Sequence, residues 1–121
     1  MRDKIIFMKQ VSKSITKVEL QQMAEKMYGS LVKAVVDVEQ KILVVDAEMH
    51  VDEEHYLLEN GSQQKNLWGI NLYPANYNKD DFIEFDSMIN IRPSAKNFHR
   101  GIESQAIRDK IIQIVEGKVI E

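Results

Sequence analysis

The chain has 121 residues, 44% of them hydrophobic and 29% charged, with a formal net charge of −3 and no cysteine. That length and composition fit a single domain over 1–121 with one core, too apolar for intrinsic disorder. The absence of cysteine excludes disulfides, thiol catalysis and Cys-based zinc or iron–sulfur sites.

In chain order, residues 4–10 form a short apolar stretch that reads as a strand. Thr16-Lys17-Val18-Glu19 has the spacing of a capping box, and Ile15 with Leu20 forms its hydrophobic staple. Leu20, Met23, Ala24 and Met27 recur at helical spacing before Gly29, which predicts a helix over 17–28. Residues 31–38 and 41–49, rich in Val and Ile and joined by Glu39-Gln40, predict a β-hairpin. Asp52 caps an expected short helix through Glu59, with Val51 and Tyr56 as its staple, and Asn60-Gly61 ends it. A strand is expected over 67–73 up to Pro74, and a long strand over 82–91 up to Arg92-Pro93. Ser104 caps a last helix whose apolar face is Ile107, Ile111, Ile114 and Val115, with Gly117 at its end.

The order β-α-β-β-α-β-β-α, with short links, predicts an α+β domain. Its expected form is two layers: a mainly antiparallel sheet of about five strands with helices packed on one face. The opening apolar run, Ile5 to Met8, is too short for a signal-peptide core, and nothing approaches a membrane span. The expected location is the cytoplasm, with no membrane partner.

Charge is uneven along the chain. Residues 1–33 carry seven basic and three acidic groups, residues 34–90 three and twelve, and residues 91–121 six and four. An acidic middle repels phosphate backbones, so nucleic acid is not an expected partner.

Alternation along the strands divides the sheet into two faces. One face takes Val45, Ala47, Phe85 and Ile89. The other collects Asp46, Glu48, His50, Asp86, Asn90 and Arg92, with Glu84 beside them and Asp37 at its margin. An outward polar face is commonly just hydrated. Asp and Asn are nonetheless depleted in strands, so Asp46, Asp86 and Asn90 there point to a site for a polar ligand or a protein partner. The alternative is a hydrolase, possibly metal-assisted, with His50 as general base, Glu48 or Asp46 orienting it or holding a metal, and Arg92 stabilising negative charge. A third alternative is self-association through Trp68 and the edge strands. Arg92 and Arg100 near the last helix offer a weak anion site. Ser62 lacks a nucleophile elbow, and the five glycines form no phosphate loop; the sequence names no cofactor and leaves it unknown.

Several stretches together carry a resemblance. They are Val32-Lys33-Ala34-Val35-Val36-Asp37, Asp46-Ala47-Glu48-Met49-His50 with Asp52-Glu53-Glu54, Gly61-Ser62, Leu67-Trp68-Gly69-Ile70-Asn71-Leu72-Tyr73-Pro74, and the long run from Ile83 to Pro93. With these the chain resembles, over nearly its whole length, a family of small prokaryotic proteins catalogued as a domain of unknown function. The resemblance implies one intact domain and no particular activity.

Overall fold

Thr16 opens the first helix as its spacing predicts. Its hydroxyl accepts from the Glu19 N–H at 3.1 Å, and the Glu19 carboxylate accepts from the Thr16 N–H at 3.2 Å. The computed structural model describes residues 8–121. The elements are β1 (Lys9–Val11), β2 (Ile15–Thr16), α1 (Lys17–Met27), β3 (Val32–Asp37), β4 (Ile42–Val45), α2 (His50–Glu59), β5 (Leu67–Leu72), β6 (Ile83–Glu84), α3 (Gln105–Lys118) and β7 (Val119–Ile120). Of the strand expected over 4–10, residues 4–7 lie outside the described residues.

The main sheet has the order β1-β4-β3-β5-β6, antiparallel throughout. The α+β class and the mainly antiparallel five-stranded sheet are therefore as expected. The hairpin β3–β4 is turned by Asp37, whose carboxylate accepts from the backbone N–H groups of Glu39 and Gln40, both at 2.9 Å. This is the local side-chain turn that Asp makes readily. A second, two-stranded sheet joins β2 to β7 in parallel, Ile15 opposite Val119.

The larger core lies on one face. There Val11, Ala34, Val36, Leu43, Val45, Trp68, Ile70 and Leu72 from the sheet meet Leu20 and Ala24 of α1 and Ile111, Ile114 and Val115 of α3. A single helical layer, the expected arrangement, is not what forms. Val35, Val44 and Leu67 project from the opposite face and are covered by Leu57 of α2. The molecule thus has three layers, α1 and α3 on one side and α2 on the other. The cause is in the strands: Val35 and Val44 sit mid-strand on that face, and two apolar neighbours there demand cover.

Two expected strands end early. β4 stops at Val45 because Asp46 turns to φ +73, a left-handed conformation that breaks the pleat. The long strand over 82–91 is reduced to β6. Ser87 then caps a tight turn at 88–90, its hydroxyl accepting from the Ile89 N–H. This turn still completes β5: the Asn90 carboxamide accepts from the Gly69 N–H at 2.8 Å and donates to the Gly69 carbonyl at 2.9 Å. Residue 69 must be glycine for this approach, since a Cβ there would lie 2.6 Å from Ser87 Cβ and Oγ. Among the described residues, no helix is long and apolar enough to cross a membrane.

Candidate functional site

The two early strand ends redistribute the residues expected on one polar face. Asp46 is not on a strand face: it is buried at the end of β4, with Lys26 3.9 Å away. Glu48 lies exposed in the link to α2, where its backbone carbonyl accepts from the Tyr28 hydroxyl. His50 is the first residue of α2 and not the end of a strand, because the helix is capped at Met49, three residues before the expected Asp52 cap.

Asp86, Asn90 and Arg92 leave the sheet after β6. Asp86 pairs with Arg100 at 2.6 Å, so Arg100 is not a free anion ligand. Asn90 is fully buried and donates further to the Arg100 carbonyl at 2.9 Å. The Arg92 guanidinium donates to the carbonyls of Leu67, Lys65 and Ile89 and stacks 4.5 Å from the Trp68 ring centroid. It lies at the Leu67 end of β5, whereas His50 meets the same strand at Ile70. Trp68 itself is buried in the larger core, which removes the exposed anchor imagined for self-association.

What the fold does bring together lies between the start of α2 and the sheet. His50, Glu53, Glu54 and Leu57 form the buried stripe of α2, the i, i+3, i+4, i+7 spacing of a helix face. His50 Nε2 is 2.7 Å from the Ile70 carbonyl. A carbonyl only accepts, so Nε2 carries the proton and Nδ1 is the unprotonated nitrogen of the neutral ring. Burial holds the His50 pKa below its usual 6.5; the Ile70 carbonyl opposes this and the charge of Lys33 reinforces it.

Glu53 is fully buried. One carboxyl oxygen accepts from the Ala47 N–H at 3.1 Å, and the other has no hydrogen-bond partner among the described residues. Burial drives its pKa well above 4.5. The Ala47 N–H and Lys33 work against that shift, and Asp46 and Asp52 add to it. Burial also raises Asp46, against the pull of Lys26. Two neighbouring carboxyl groups that both resist ionisation favour the protonated form of Glu53.

Asn71, on the same face of β5, donates to Glu84 at 2.9 Å, and the Tyr73 hydroxyl donates to the same Glu84 oxygen at 2.9 Å. Among the described residues neither the Asn71 side-chain oxygen nor Asp46 Oδ1, both buried, has a hydrogen-bond partner, although the Asn71 side chain is close enough to His50 to favour its protonated form. Lys33, paired with Asn71 across the sheet, directs its ammonium at the Tyr28 ring, 5.0 Å from the centroid. Glu53, Asn71 and Lys33 were absent from the sequence-derived site, although the α2 stripe spacing marks Glu53 as buried. Among the described residues, no group of three or more His, Asp or Glu could hold a metal ion. A cavity of about 510 Å³ opens elsewhere, against the opposite layer.

The two buried titratable groups have opposite effects on stability. The unfolded chain ionises Glu53 near pH 4.5 while the fold retains the proton, so Glu53 lowers stability as pH rises from there to its folded pKa. His50 stays neutral in the fold, so it lowers stability as pH falls below 6.5 toward its folded pKa. From about pH 4.5 to its folded pKa the Glu53 effect has a slope of up to about 1.4 kcal/mol per pH unit. Glu53→Gln should remove this contribution, so that the difference between the variant and native urea midpoints changes as pH rises from about 4.5. A variant profile parallel to that of the native protein would show that Glu53 ionises normally in the fold.

Neither the curated proteins nor the solved structures provide a match to this chain. The family model described as Protein of unknown function (DUF5674) matches residues 9–118, from β1 to the end of α3, and the chain belongs to that family.

Proposed function

We propose that this chain is a binding domain whose polar layer at the start of α2 takes a small polar ligand carrying N–H donors. One observation carries the proposal. Four buried side-chain atoms lack hydrogen-bond partners among the described residues, and two of them, Asp46 Oδ1 and Asn71 Oδ1, are acceptor oxygens beside this layer, while a third, Glu53 Oε1, carries the proton of the neutral acid. Buried acceptors left unpaired cost free energy, and a ligand with ammonium or guanidinium donors would offset that cost. Asp46 and Glu84 supply the matching negative charge.

The hydrolase alternative has less to rest on. His50 Nε2 is occupied by a backbone carbonyl rather than by Glu48 or Asp46, and the Arg92 guanidinium is occupied by three carbonyls.

Thermal unfolding tests the proposal with agmatine as the donor-rich probe and succinate as the acidic control. At ten times its Kd, mass action gives about 1.4 kcal/mol, a rise in Tm of about 5 °C for a domain of this size. Asp46→Asn should weaken the rise, and succinate, Mg²⁺ and Zn²⁺ should cause none. A rise with the divalent ions but not with agmatine would replace the proposal with a metal site.

A further inference from the structure

A second site is built on the opposite layer. The segment after β5 turns back through 77–82 before entering β6. Its turn is fixed by the Lys79 N–H on the Asn76 carbonyl at 2.9 Å and the Phe82 N–H on the Lys79 carbonyl at 3.1 Å. The Tyr77 hydroxyl donates to the Val119 carbonyl, which ties this loop to the end of α3. Between loop, β6 and α3 lies a cavity of about 510 Å³, within the range of small-molecule sites.

The floor is apolar and aromatic. Tyr77 and Phe82 meet edge to face, with centroids 5.5 Å apart and planes at 87°, and Phe85 and Ile112 complete it. The rim is charged: Lys79, Asp80 and Glu116 line the mouth. None of their side chains is held in an ion pair or hydrogen bond with another described residue, and they sum to −1. A hydrophobic floor of ring faces and edges suits another ring, and a net acidic mouth attracts a cation and repels an anion. The volume is too small for a helix or strand of a partner.

We infer that the cavity formed by Tyr77, Phe82, Phe85 and Ile112 binds a small aromatic molecule bearing an ammonium group, ring on the floor and ammonium toward Asp80 and Glu116. This site goes beyond the proposed polar layer, which lies on the other side of the sheet, so the two can fail separately.

Three probes with one ring separate the contributions: 2-phenylethylamine, 2-phenylethanol and 3-phenylpropionate, each titrated into the full chain with backbone amide NMR shifts as readout. The expected result is shifts confined to residues 77–85 and 112–119. The amine should bind roughly tenfold tighter than the acid, since attraction and repulsion at a half-exposed rim each contribute up to about 1 kcal/mol. Glu116→Gln, an exposed change that leaves the core intact, should shrink that ratio severalfold, and Ile112→Trp should fill the cavity and abolish the shifts. No shifts with any probe, shifts centred on α2, or equal binding of amine and acid would each overturn the inference.

Discussion

Asn90→Ala is expected to lower the free energy of unfolding by about 3–5 kcal/mol, read from urea midpoints at constant m. The carboxamide supplies a donor and an acceptor to Gly69, in the interior strand β5 that is buried along its whole length. Removing it leaves the Gly69 N–H and C=O without partners, and each such buried group costs about 1–3 kcal/mol. The Arg100 carbonyl loses a donor as well. Asn90→Asp should be no better, because the carboxylate keeps the acceptor for the Gly69 N–H but loses both donated bonds and places a charge in a fully buried position. A cost under about 1 kcal/mol for the alanine variant would show that Gly69 finds other partners.

Leu57→Ala should cost about 2–5 kcal/mol, the range for emptying a core leucine site. Leu57 is 1% exposed and closes the second core over Val35, Val44 and Leu67. Its neighbour Leu58 is 38% exposed, so Leu58→Ala, the same chemical change one residue on, should stay within about 0.5 kcal/mol. The contrast tests the third layer directly. Were all helices on one face, with α2 lying free of the sheet, the two substitutions would be equally mild.

Where local signals were complete, the sequence was readable. Thr16 and Glu19 fix the start of α1 through bonds within four residues, and Ser104 fixes the start of α3 in the same way, its hydroxyl accepting from the Ile107 N–H at 3.2 Å. The hairpin β3–β4 was readable from its Val-rich strands. The misread segments depend on distant partners. Asp46 ends β4 by a left-handed turn, and nothing nearby in sequence announces it. The run 82–91 has strand alternation, but Ser87 and Asn90 find better partners in a tight turn and in Gly69 across the chain. Gly117 lies inside α3 instead of ending it, as the helix runs to Lys118. The pairing of β2 with β7 joins strands of two residues each, too short to leave a pattern.

The site was legible in part. His50 and Asp46 were identified on the assumption of strand alternation, and they are buried near the start of α2 for a different reason. Glu48 is exposed, and Arg92 acts on backbone at the far end of β5. Glu53 was hidden because an acidic residue inside Asp52-Glu53-Glu54 reads as hydrated surface, while its helical phase with His50 and Leu57 places it inward.

The short β6 has a consequence for self-assembly. It covers only Asn71 and Leu72 of β5, so the stretch Leu67-Trp68-Gly69-Ile70, apolar and uncharged, would otherwise present an open edge for a second chain to extend the sheet. Edges of that kind seed aggregates and fibrils. A side-chain amide at Gly69 caps the edge without being a strand: it satisfies one rung and offers no backbone for a further strand to follow. Asn90 therefore acts as a gatekeeper, and its loss should appear as thioflavin-positive aggregation at temperatures where the native chain stays monodisperse.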